Sequence, residues 1–84
     1  MTASVLPLGE LQPGQRARVL HVRHGGHERL VRLAMLGLVP GAVVEVEQAW
    51  PALVVHVGET TLALDAVVAD AVCVEPIEPE DARP

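Results

Sequence analysis

His21, His24 and His27 stand three residues apart, and Glu28 follows the last of them. Together they hold the donor types of a two-histidine, one-carboxylate ferrous site. Residues three apart on a strand point to opposite faces, so only the Gly25-Gly26 turn can fold His24, His27 and Glu28 together. These three are the candidate ligands, for Fe(II) or another divalent transition metal held weakly. The competing reading is that they are solvated loop histidines. His56 is isolated along the chain and is expected to face solvent. Cys73 alternates with Val72 and Val74 and has no flanking base or helix N-terminus to activate it, so it reads as a small hydrophobe. As the single cysteine it excludes an intramolecular disulfide.

The remaining chemistry is thin. There is no lysine, Ser4 is the only serine, and no glycine-rich phosphate loop or close pair of carboxylates on one element occurs. The constellations of acyl transfer, phosphoryl transfer and glycoside hydrolysis are therefore missing, and the chain is not expected to be an enzyme. Nucleic-acid binding by a small barrel needs stacking aromatics in a basic groove. Here Trp50 is the only aromatic and the net charge is −5. That charge is uneven: residues 1–42 carry five arginines against Glu10 and Glu28, +3, whereas residues 43–84 carry one arginine against nine acids, −8. Such a surface can orient a charged partner; ordinary solubilising charge is the plainer account.

The elements that must position these groups are few. A chain of 84 residues buries one modest core, and with Val, Leu and Ala supplying nearly all the apolar content that core is aliphatic. The first residues have no basic n-region and are broken by Pro7, and charged residues such as Glu45 and Asp65 interrupt the apolar runs. This predicts a cytoplasmic protein with neither a secretory signal nor a membrane span.

Pro13-Gly14 and Pro40-Gly41 each preset a type II turn that launches a strand. Leu8 and Leu11 close one end of the expected barrel. Arg16 to Arg23 alternates Arg16 and Arg18 outward with Ala17 and Val19 inward, then loses phase at Val19-Leu20, which predicts a bulge. After the His24–His27 turn, Glu28 to Leu36 follows helical spacing. On that helix Leu30, Val31, Leu33, Ala34 and Met35 form a wide apolar arc, expected against the core. Arg29 and Arg32 define the other side, with Leu36 between them. Gly37 fits a left-handed stop that folds Leu38 back on Leu33.

Val43–Gln48, Leu53–Val57 and Thr60–Leu64 then alternate as strands, the last two joined at Gly58-Glu59. Asp65 caps one helical turn, 66–70, before a closing strand at 71–75. This pattern is mainly β: a small five-stranded barrel with one short helix after the first strand. Residues 1–7 are read as a flexible N-terminus, 8–75 as the barrel, and the acidic, proline-rich 76–84 as a disordered tail.

Leu11-Gln12-Pro13-Gly14-Gln15, the run Arg32-Leu33-Ala34-Met35-Leu36-Gly37-Leu38-Val39-Pro40-Gly41, the strand Val43–Val46, and Leu62–Leu64 followed by Val68–Val74 resemble the FeoA family over roughly Leu8 to Val74. The most specific stretch is Leu36 to Gly41. The chain departs from the family pattern at Ala49-Trp50-Pro51-Ala52, a shorter loop. The resemblance implies a cytoplasmic SH3-like barrel that assists the membrane ferrous-iron transporter FeoB, whose cytosolic part is a GTPase, and requires no cofactor. Similar domains are fused to iron-dependent repressors, which implies a metal-sensing module as the alternative. The expected partner face is Arg29, Arg32, Leu36, Gly37 and Pro40. No nucleic acid and no membrane insertion are implied, and exposed edge strands leave a homodimer open.

Overall fold

A computed structural model of the chain describes residues 5–23 and 25–77. The proline–glycine turns act as launch points. At the first, the Gln15 N–H donates to the Gln12 carbonyl at 3.0 Å, and at the second the Ala42 N–H donates to the Val39 carbonyl at 2.9 Å. Between and after them run β1 (Leu6–Pro7), a 3-10 turn (Leu8–Glu10), β2 (Arg16–Val22), α1 (Gly26–Met35), β3 (Val43–Gln48), β4 (Leu53–Val57), β5 (Thr60–Leu64), α2 (Ala66–Ala71) and β6 (Val72–Ile77).

All six strands join one sheet in the order β1-β6-β2-β3-β4-β5, with every neighbouring pair antiparallel. Inward side chains from β2 to β6 meet in a single core cluster that includes Val19, Val44, Val55, Leu64 and Val74. The sheet is therefore curled around one aliphatic core, with Leu8 and Leu11 buried in it as the sequence predicts. No charged or polar side chain is buried among the described residues, so the core owes its stability to apolar burial and packing.

Six strands stand where five are expected. The added one is the two-residue β1, which pairs Leu6 with Val74 and Pro7 with Cys73. Two residues cannot display a period-2 pattern, and a proline is at home on an edge strand. Pro76 and Ile77, grouped with the tail on sequence grounds, continue β6 opposite Ala17 and Arg16; residues 78–84 lie outside the described residues.

The loss of phase in β2 is a bulge. The β2–β6 pairing shifts between Val19 and His21, which leaves Leu20 as the additional residue and turns Val22 toward the core. Cys73 is buried, as a small hydrophobe should be.

Candidate functional site

The Gly37 stop forms as its sequence predicts. Gly37 takes φ 93°, the Leu38 N–H donates to the Leu33 carbonyl at 2.9 Å, and the Gly37 N–H donates to the Ala34 carbonyl at 3.0 Å. This pair of bonds is a Schellman motif, and it buries Leu33 and Leu38 together. Gly37 also sits where a Cβ would lie 3.4 Å from Val57 Cγ1. The end of α1 is thereby fixed against the Val57 end of β4.

The rest of α1 is placed differently from expectation. Only the Leu33 edge of the apolar arc reaches the core: Leu33 is 3 % exposed, whereas Leu30, Val31 and Met35 are 47, 44 and 82 % exposed. The arc expected inside is thus the outer face of the helix. Arg29, expected on the solvent side, is half-buried and folds across Gly25, whose own Cβ would meet the Arg29 side chain. With the core already closed by the strands and by Leu8 and Leu11, one helical anchor suffices, and the turn at Gly37 sets the rotation.

Of the expected partner residues, Arg32, Leu36 and Pro40 are exposed, and Arg29 and Gly37 are half-buried. Arg32 lies 3.9 Å from Glu28, an exposed i,i+4 pair worth little to stability. Leu30, Val31 and Met35 are exposed on the same helix, and Val39 and Val43 after it are part-exposed. The helical spacing of Leu30, Val31 and Met35 alone reads as a core-facing arc and does not mark them as exposed.

The metal candidates are less well assembled. His27 and Glu28 are successive residues in the first turn of α1, so their side chains diverge by about 100°, and both are exposed. His24 lies outside the described residues. Among the described residues no three His, Cys, Asp or Glu side chains form a metal-holding group.

His56 is not isolated, contrary to expectation. Its Nε2 lies 2.6 Å from Glu47 Oε1 on β3, and its Nδ1 is 3.0 Å from Thr61 Oγ1 on β5. The bulge between Val46 and Gln48 brings Glu47 into reach. The trio ties three strands across the solvent face of the sheet, a contact between strands that a linear reading of β4 does not show.

At the other end of β4 lies a cleft of about 420 Å³. Its floor includes Leu53 and Leu64, and its walls are the 3-10 turn, the loop 49–52 and α2. Three carboxylates line it: Glu10, Asp65 and Asp70. Asp65 caps α2, its Oδ1 accepting the Val68 N–H at 2.8 Å, and Asp70 pairs with Arg23 at 3.1 Å. Trp50, between the lining residues Ala49 and Pro51, is 83 % exposed. No resemblance or periodicity marked this cleft, because it is made by loops that meet only in the folded chain.

Comparison with known proteins agrees with this architecture. The FeoA domain model matches residues 6–76. A comparison with curated proteins finds no match. Among solved structures, an iron uptake regulatory protein (FeoA) is similar with a TM-score of 0.80 at 31 % identity, covering 88 % of this chain and 99 % of that one. FeoA of Stenotrophomonas maltophilia, a procaryotic SH3 domain protein complexed with zinc, gives 0.72 at 32 % identity, covering 82 % and 88 %. IdeR of T. acidophilum shares the fold, with a TM-score of 0.80 at 22 % identity over 92 % of this chain and 36 % of that one. With a small SH3-like domain matched over nearly its whole described length, the chain belongs to the FeoA family, which is associated with ferrous iron transport.

Proposed function

We propose that this chain is a non-enzymatic cytoplasmic accessory protein that docks, through the exposed face of α1, on the cytosolic GTPase part of a FeoB-type ferrous-iron transporter and modulates its assembly or GTPase cycle. The observation that carries the reading is the uncovered aliphatic arc Leu30, Val31 and Met35, continued by Leu36 and bordered by Arg29 and Arg32. An apolar patch rimmed by charge on a small domain is what a protein interface requires. Among the described residues no helix is long and apolar enough to cross a membrane, so on this reading association with the transporter comes from protein contact.

The test is capture by the purified cytosolic region of FeoB, comparing the natural chain with Met35→Glu and Leu36→Glu. Both substitutions place a charge on an exposed site, so the fold is kept. Binding is expected to fall by at least about tenfold for each; equal recovery of all three proteins rejects the surface.

A second reading draws on the zinc complex of the Stenotrophomonas maltophilia relative: weak Fe(II) binding by His24, His27 and Glu28. Titration with Co(II) or Fe(II) under reducing conditions, followed by NMR, is expected to move the His24 and His27 ring signals. Unmoved rings end it.

A further inference from the structure

The cleft at the Leu53 end of β4 belongs to neither reading, and its chemistry is the complement of the α1 face. On the α1 side an exposed aliphatic helix carries the half-buried Arg29 and the exposed Arg32 against the single Glu28 of the same helix. The cleft side has an apolar floor at Leu53 and Leu64 lined by Glu10, Asp65 and Asp70, against the single Arg23. Its volume of about 420 Å³ lies in the range of pockets that receive a ligand and has room for apolar side chains. Glu10 makes no ion pair among the described residues.

We propose that the cleft receives the α1 face of a second copy of this chain, so that the protein associates head to tail. The heterologous contact places Arg29 and Arg32 near Glu10 and Asp65, while Met35 and Val31 enter the cleft. Electrostatic complementarity of this kind fixes register and speeds encounter. Because donor and acceptor faces lie at different ends of the molecule, each copy can give one contact and take another, and growth continues unless rotation closes a ring. Trp50, exposed on the loop whose neighbouring residues Ala49, Pro51 and Ala52 line the cleft, is free to meet an incoming helix and its arginines.

The consequence for transport rests on the docking surface proposed above: a copy whose α1 is held in a neighbour's cleft cannot offer that helix to the transporter. Self-association and docking are then mutually exclusive, and concentration sets the balance.

The experiment uses the full chain in sedimentation velocity with two variants, Met35→Glu, which spoils the helix face, and Ala66→Arg, which fills the exposed rim of the cleft and sets a cation there. The natural chain is expected to grow in mass with concentration, and to do so less as salt rises from about 0.1 M to about 1 M, where the Debye length falls from about 10 Å to about 3 Å. Each variant alone is expected to stay monomeric. Mixed, they form a one-to-one heterodimer and nothing larger, since one intact helix face meets one intact cleft, and the emission of Trp50 in the Met35→Glu copy shifts to the blue.

A natural chain that stays monomeric at about millimolar concentration overturns the proposal, as does a mixture that stays monomeric. An association untouched by Ala66→Arg also overturns it, by showing a contact elsewhere. Circular dichroism confirms that both variants are folded. In the transporter assay Ala66→Arg keeps full capture while Met35→Glu loses it, so failure of self-association and failure of docking are told apart.

Discussion

At the Val57 end of β4 the molecule leaves a helix uncovered and bordered by arginines; at the Leu53 end, about 13 Å along the same strand, it leaves a cleft lined by carboxylates. The two ends are built by opposite means. The first is one continuous element held at a single anchor, Leu33, and a single stop, Gly37. The second is assembled from three short segments whose backbones meet: the 3-10 turn, the loop 49–52 and α2. A surface held by few contacts can be altered at its outer residues without cost to the fold, whereas a surface made of loops depends on each cap and close approach. This difference orders the expected effects of substitution.

The largest effect falls on the anchor. Leu33→Ala removes the only side chain of α1 that is buried in the core and is expected to cost about 2–4 kcal/mol, read as a lower urea midpoint. A loss below about 1 kcal/mol would mean that α1 is held by its outer residues after all, and the contrast between the two ends would fail. Next comes the stop. Gly37→Ala forces a Cβ into φ 93° and toward Val57 Cγ1, and about 1 kcal/mol is expected, with line broadening of α1 amides by NMR.

At the cleft, Asp65→Ala removes the acceptor for the Val68 N–H. About 1 kcal/mol is expected, together with faster hydrogen exchange in α2 and little change in α1. If exchange rises equally in both helices, the two ends are not independent units.

Much of the sheet was legible because alternation writes a strand directly: Val44 and Val46 in, Glu45 and Glu47 out. Local backbone chemistry was legible for the same reason, since Pro40-Gly41, Gly37 and Asp65 each satisfy a rule within four residues. The rotation of α1 was not. A helix bearing an apolar arc carries no sign of how much core remains for it to fill, and only the finished strands answer that. Neither the Glu47–His56–Thr61 tie nor the cleft had a linear signal, because both join residues from three elements that are brought together by the sheet order and the bulge at Glu47.

The smallest effect on the fold is the most informative about function. Met35 is 82 % exposed, so Met35→Ala removes almost no buried area and should move stability by less than about 0.5 kcal/mol. As an unbranched, polarizable side chain at the most prominent point of the arc, it is suited to fill an irregular partner surface. The same substitution is therefore expected to weaken capture by the transporter's cytosolic region by several-fold while leaving the urea midpoint in place. A change in stability with no change in capture would reverse the assignment: Met35 would then belong to the fold, and the partner surface would lie elsewhere.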